Sequence, residues 1–303
     1  MISILIPVFN TNVQELVTAL HDQMHHLSLP GEIIVYDDFS AENFKATNRA
    51  IVSLENVIYK ELDKNMGRSR IRTLLATNAQ NEWLLFLDSD SLILDNNYLK
   101  KYLEIIGSEY DVYTGGRKYE LKIPNNCNKR LHWKYGTLRE VPKGRKTVLH
   151  VNNFCIRKKL FLELSVPHEL QGYGHEDTWM QMELNRRGKQ IAFFENPILH
   201  NGLEDSRLFL DKTKNALKNL SILSQIFTEE ELKKQVGLYK IFYWQKKLGL
   251  TRIVNTILKT RIKGIEQKLL SCNPSLFLFD LYRLYHLSNS NHSLSHIDYK
   301  KGR

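Results

Sequence analysis

Three observations in this 303-residue sequence predict an α/β fold, with a mostly parallel central sheet flanked by helices and a helical extension after it. Short apolar runs bounded by turn formers recur through the first two thirds, as buried parallel strands require. Segments of helical period lie between those runs. Polar and acidic residues gather just after the strand ends, where open parallel sheets bind their ligands.

Residues 3–7 (SILIP) read as the first strand, and residues 13–24 as a helix with Val13, Leu16, Val17 and Leu20 on one face. Residues 32–36 (EIIVY) form the second strand, 67–79 a basic helix, and 82–87 (EWLLFL) a third buried strand. A further strand is expected at 191–194. Past Asp205 helical patterns take over at 212–227, 229–248 and 251–270, and the polar stretch 288–303 is expected to fray.

Composition narrows the class. Apolar residues at 42% and charged ones at 25% exclude disorder, collagen-like and coiled-coil chains. No run reaches the roughly 18 apolar residues of a membrane span. The N-terminal apolar run is broken by Pro7, so no secretory leader is expected. Cys127, Cys155 and Cys272 are odd in number and lack CxxC spacing, which predicts no disulfide framework and a reducing compartment. The formal charge of +10 is uneven: residues 1–204 carry 25 Lys+Arg and 25 Asp+Glu, whereas 205–303 carry 18 and 8. Two domains are therefore expected, 1–204 and a basic helical extension 205–303, the latter meeting an anionic membrane surface, a nucleic acid, a phosphorylated substrate or another partner, or else serving only as a solvated helical face.

The sharpest local pattern is Asp88-Ser89-Asp90 after the third strand. Side chains alternate on an extended backbone, so Asp88 and Asp90 point the same way. Two carboxylates so placed repel unless a cation sits beside them, and oxygen ligands suit Mg²⁺ or Mn²⁺ bridging to a diphosphate. Asp37-Asp38 follows the second strand, either as an Asx-type turn or as a ligand contact. Asn65-Met66-Gly67-Arg68-Ser69-Arg70-Ile71-Arg72 opens a helix whose N–H groups and guanidinium groups suit phosphate. A solvated basic face is the competing account, stronger for Arg70 than for Arg72. Gln171-Gly172-Tyr173-Gly174-His175-Glu176-Asp177 leads into another helix. There the carboxylates serve either as helix-start charges or as a general base. His200 is a candidate to complete an ion's shell.

SILIPVFN, EIIVYDDFS, NMGRSRIR, WLLFLDSD and GYGHEDTWMQMELNRRG, in that order, resemble the motifs of glycosyltransferase family 2 over about residues 1–204. The last is also similar to the galactosyltransferase-like motif of chondroitin-polymerase-type enzymes. The resemblance implies the GT-A nucleotide-diphosphosugar transferase fold. It implies that Pro7, Asn10, Asp37, Asp38, Gly67, Arg72, Asp88 and Ser89 bind the nucleotide-sugar. Asp90 and His200, with Asp88, would then hold the metal, and Asp177, with Glu176 beside it, would be the catalytic base. Phe39 stands where the family usually has glycine, and Thr73 where it often has asparagine.

The reading so reached is an inverting hexosyl- or N-acetylhexosaminyl-transferase dependent on Mn²⁺ or Mg²⁺. It moves sugar from a nucleotide-diphosphosugar, usually a UDP-sugar, to a hydroxyl of a glycan or lipid-linked acceptor in cell-surface polysaccharide biosynthesis. The expected location is cytoplasmic, peripheral on the cytoplasmic face of the membrane. Trp133, Asn153 and Trp179 are candidate acceptor contacts. The rival readings are a sugar-phosphate nucleotidyltransferase and a nucleic-acid-binding protein. Acidic strand ends argue against nucleic acid, and no GxxxxGK or HExxH motif supports an ATPase or zinc protease.

Overall fold

The computed structural model describes residues 1–141, 149–170 and 172–294. By packing, the chain divides into two units, residues 1–121, 139–166 and 183–202 in the first, and 122–138, 167–182 and 203–303 in the second. The sequence boundary at 204 falls two residues past the last crossing, and the second unit also recruits two segments from earlier in the chain.

The first unit contains β1 (Ile2–Val8), α1 (Gln14–His26), β2 (Gly31–Asp37), α2 (Glu42–Asn48), β3 (Val57–Glu61), α3 (Arg68–Asn78) and β4 (Trp83–Leu87). It continues with β5 (Ser91–Leu92), α4 (Tyr98–Ile105), β6 (Val112–Thr114) and β7 (Arg117–Lys118). The second unit takes up α5 (Arg130–Tyr135), after which β8 (Asn153–Arg157) and α6 (Lys158–Glu163) return to the first. The division then runs through α7 (Glu176–Arg186), after Met182, and β9 (Ile191–Phe193) and β10 (Ile198–His200) complete the first unit.

A seven-stranded sheet has the order β3-β2-β1-β4-β8-β6-β9. The pairs β1–β2, β2–β3, β1–β4 and β6–β9 are parallel, and only β8 runs antiparallel to its neighbours. Ile2, Ile4, Ile6 and Val8 of β1 pack with Ile33, Val35, Leu85 and Leu87 against Leu16, Val17 and Leu20 of α1. Alternation sends Leu5, Ile34, Leu84 and Phe86 to the opposite face, equally buried, where the Phe86 ring lies 4.6 Å from that of Phe161 in α6. Both faces are covered, as the sequence predicts.

Strands β2 and β3 lie on one side of β1 and β4 on the other, so the strand order reverses between β1 and β4. The β1–β4 register ends at Leu5 with Phe86, whereas β1–β2 pairing continues to Val8 with Asp37. Pro7 falls beyond the last β1–β4 pair, where its missing N–H removes no ladder bond on that side. The polar strand-end residues gather at this reversal.

The second unit holds α8 (Ser206–Ile226), α9 (Glu229–Gln235), α10 (Gly237–Lys247), α11 (Thr251–Leu269) and α12 (Leu276–Leu294). Its core joins Leu131 of α5 to Phe209, Leu210, Leu258, Ile265, Leu269, Phe279 and Tyr282. The single helix expected over 229–248 is broken at Val236, whose extended backbone (φ −119°, ψ 105°) separates α9 from α10. The stretch expected to fray from 288 is helical as far as Leu294, and residues 295–303, with His296, lie outside the described residues.

The cysteine expectation is corrected. Cys127 and Cys272, 145 residues apart, are joined in a disulfide within the second unit, and Cys155 is buried alone in β8. Spacing rules read local motifs, and this pair is brought together only by folding. With it goes the composition argument for a reducing compartment.

Candidate active site

Asp37 and Asp38 end β2 with different work. The fully buried Asp37 accepts from Ser40 N–H at 2.7 Å. Both carboxylate oxygens of Asp38 accept backbone N–H groups, Oδ1 from Met66 at 2.6 Å and Oδ2 from Gly67 at 3.0 Å. Asp38 thus ties the β2 end to the entrance of α3, where Gly67 (φ +81°) takes a left-handed turn open to L-residues only with strain. Asn10 links the β1 end to the same loop: its N–H donates to Ser40 Oγ at 2.8 Å, and its Oδ1 accepts from Ala41 N–H at 2.8 Å. The Asp38 and Asn10 oxygens each keep a second lone pair for a ligand, whereas Asp37, fully buried and also met by the Tyr59 hydroxyl at 3.5 Å, braces the loop.

Arg72, 5% exposed, reaches from α3 to Asp88 Oδ1 at 2.6 Å, and Arg68 approaches Oδ2 at 3.7 Å. Two guanidinium groups therefore balance the first acid of the triplet, while Arg70 is exposed on the outer face of α3. Ser89 is half-buried between the two acids. Asp90 faces another way: its Oδ1 lies 3.3 Å from His200 Nδ1 at the end of β10. Burial pushes the Asp90 carboxyl up, but His200, then Arg68 and Arg117, outweigh it and hold the group below the usual carboxylate range. The β5–β10 pairing, His200 opposite Ser91, fixes this meeting. The Asn201 N–H donates to Asp90 C=O at 2.9 Å.

Several residues here carry no motif that would have announced them. Gly202 lies so near Asp90 that a Cβ there would sit 2.2 Å from Oδ2. The Tyr119 ring stacks edge-on to His200 at 5.1 Å, and its hydroxyl bonds Glu140, which also receives Arg117. Asn152 is 2% exposed beside the triplet, its C=O receiving Asp88 N–H at 3.3 Å, yet its side-chain amide has no hydrogen-bond partner among the described residues. Asn153 is the reverse case: Tyr98 and Tyr102 hydroxyls and the Gly116 and Asn196 carbonyls use its whole amide, so it is no acceptor contact.

In the second unit, Glu176 and Asp177 open α7, where the helix dipole favours negative charge. Asp177 Oδ1 accepts from Thr178 N–H at 2.7 Å. Glu176 Oε2 accepts from Gly174 N–H at 3.0 Å, while its buried Oε1 has no hydrogen-bond partner among the described residues. Gly174 (φ +100°) is pressed against α8: a Cβ there would lie 2.4 Å from that of Ala216. Asn219 Nδ2 donates to Gly174 C=O at 2.9 Å, and Lys212 sits 5.0 Å above the Tyr173 ring. The extension therefore builds the loop that presents the two acids. Gln171 lies outside the described residues, Trp133 is half-buried and Trp179 is 3% exposed.

No group of three His, Cys, Asp or Glu among the described residues could hold a metal unaided. Asp90 and His200 supply one oxygen and one nitrogen donor, and Gly202 keeps the space against the carboxylate clear. That pair fits a divalent ion whose remaining ligands come from a diphosphate and water.

The family model for glycosyl transferase family 2 matches residues 3–164, and the chain belongs to that family. It is a glycosyltransferase with the GT-A fold. Among solved structures it is similar to the mannosyltransferase PcManGT of Pyrobaculum calidifontis in complex with GDP-Man and Mn²⁺ (TM-score 0.60, 11% identity, 96% of this chain and 86% of that one). It is also similar to S. aureus TarS 1–349 in complex with UDP (TM-score 0.50, 17% identity, 97% and 91%). A third is glucosyl-3-phosphoglycerate synthase from Mycobacterium tuberculosis, in complex with Mn²⁺, UDP-Glc and phosphoglyceric acid (TM-score 0.50, 14% identity, 73% and 78%). Comparison with curated protein sequences gives no match.

Proposed function

We propose that the protein moves a hexosyl or N-acetylhexosaminyl group from a nucleoside-diphosphate sugar, a UDP-sugar by the family pattern, to a hydroxyl of a glycan or lipid-linked acceptor, inverting the anomeric centre. Assembly of cell-surface polysaccharide is the setting. The observation that carries this reading is the Asp90–His200 pair, 3.3 Å apart at the strand reversal, with Asp88 separately balanced by Arg72.

Asp38, with Asn10 and Asp37 bracing its loop, receives the base of the nucleotide. Gly67 and the α3 start flank its phosphates, and Asp88 and Ser89 meet the ribose side. Asp90 and His200 would hold Mn²⁺, favoured over Mg²⁺ by the imidazole donor; when bound, the ion offsets charge on the departing diphosphate. The unpartnered amide of Asn152 suits a hydroxyl of the donor sugar. Asp177 takes the proton of the attacking hydroxyl, and the spare oxygen of Glu176 orients a sugar hydroxyl next to it. One displacement with one base inverts configuration and needs no enzyme nucleophile. Bound GDP-Man and Mn²⁺ in the similar Pyrobaculum enzyme favour the donor class and the metal.

The test supplies UDP-, GDP- and TDP-sugars with Mn²⁺ and follows both donor binding and products. Asp90→Ala is expected to lose donor binding and turnover together. Asp177→Asn is expected to keep donor binding while turnover falls by about 10²–10⁴. Near-normal turnover in Asp177→Asn removes that residue from the base role, and release of pyrophosphate instead of a nucleoside diphosphate replaces the reaction with nucleotidyl transfer.

A further inference from the structure

Helices α10 and α11 each bury one apolar face and expose another. Leu238, Tyr239 and Phe242 of α10, and Leu258, Ile265 and Leu269 of α11, are buried. On the outside, Ile241, Trp244 and Leu248 follow one another at helical spacing, and Leu250, Ile253 and Ile257 repeat the pattern past the Gly249 turn. All six are between 42% and 64% exposed. Scattered exposed apolar residues are ordinary, but two stripes meeting at one turn are not.

The two helices themselves carry charge of one sign, although Lys246 also pairs with Glu229 of α9 at 3.4 Å. Residues 232–265 contain nine Lys or Arg and no Asp or Glu. Lys240, Lys246, Lys247, Arg252, Lys259 and Arg261 are exposed on these two helices, with Lys247 Nζ 5.1 Å from the Trp244 ring. Of the six stripe residues only Trp244 offers a nucleic-acid base a ring to stack on, and the other five are aliphatic. A second copy of the same surface would set like charges against each other. An anionic bilayer satisfies both features: Trp and the aliphatic side chains enter the headgroup–acyl boundary while long basic side chains reach lipid phosphates.

We infer that the α10–α11 corner is a docking surface for an anionic lipid bilayer. The inference stands on this surface alone and holds whichever sugar the enzyme transfers.

The experiment uses the full chain with vesicles of phosphatidylcholine alone or mixed equally with phosphatidylglycerol, read by flotation and tryptophan emission. The chain is expected to float only with the anionic vesicles and to shift its emission to the blue, a shift absent in Trp244→Phe. Each neutralised charge lowers partitioning about fivefold, so Lys247→Gln, Arg252→Gln and Lys259→Gln together lower it roughly a hundredfold. Leu250→Glu with Ile253→Glu is expected to abolish flotation. All six positions are exposed, and a thermal melt confirms that the variants fold. Equal binding to neutral vesicles, no flotation, or an unchanged Trp244 emission overturns the inference. So does retention by duplex DNA or RNA in place of vesicles, or a dimer that only the double Glu variant dissolves.

Discussion

Replacing Gly202 with alanine tests the Asp90 site without touching any proposed ligand. A Cβ at 202 would meet Asp90 Oδ2 at 2.2 Å, Cγ at 2.9 Å and Cβ at 3.1 Å. Favourable contact between such atoms begins near ~3.5 Å, so the carboxylate must retreat by about 1 Å. It can do so, because it is the end of a rotatable side chain and Gly202 is not among the left-handed glycines. The fold is therefore kept and the loss falls on the site. A displacement of about 1 Å lowers rate by roughly 10²-fold, and disturbing the support of a metal ligand lowers metal affinity about 10–100-fold. The assay is initial rate against Mn²⁺ concentration at saturating donor, beside calorimetry of Mn²⁺-dependent UDP binding and a thermal melt. Gly264→Ala is the control, since a Cβ there meets nothing within 4 Å and lies inside α11. A folded Gly202→Ala enzyme with an unaltered Mn²⁺ dependence refutes the assignment of Asp90 as the ion's carboxylate.

Two further outcomes concern stability. Removing the Cys127–Cys272 link with paired alanines frees a 145-residue loop in the unfolded chain, a loss of up to about 5 kcal/mol, read as a lower urea midpoint. A midpoint that reductant leaves unmoved argues against the bond. Burial, followed by the Arg117 charge, pushes the His150 imidazole down to about 4, and burial likewise pushes His175 down to about 3. The unfolded chain then binds protons that the native state refuses, so stability is flat above about pH 6.5 and falls as pH drops toward 4. His150 contributes on the order of 3 kcal/mol to that fall, and His150→Gln is expected to make the urea-midpoint profile less steep over this window, with the His175 share remaining.

The long apolar strands were legible because β1, β2 and β4 are buried on both faces and read as unbroken runs. The short ones were not. β3 (VIYKE) alternates buried and exposed residues at an edge, and β5, β7 and β10 have only two or three residues each, so periodicity has nothing to count. The break at Val236 was hidden because no proline marks it; its one signal in the sequence is Gly237, the first residue of α10, while the Thr228–Glu231 capping box marks only the start of α9. In the site, acids and glycines showed themselves through motifs. Gly202, Asn152 and Tyr119 did not, because their importance lies in how closely folding brings them to Asp90, Asp88 and His200.

Position 39 shows how a departure from the family pattern can still obey the fold. Phe39 has φ +69°, the left-handed backbone for which the family's usual glycine is suited. An L-residue there loses about 1–2 kcal/mol, and such strain persists only where surrounding bonds leave the chain no alternative. Those bonds are present on both sides: Ser40 N–H to Asp37, Asn10 N–H to Ser40 Oγ, and Ala41 N–H to Asn10. The ring itself stays 53% exposed, with Lys45 5.1 Å from its centre, so packing does not explain its being there. The loop beside Asp38 is thus set by hydrogen bonds before any ligand arrives, and it holds an exposed aromatic ring next to the residue proposed to receive the nucleotide base.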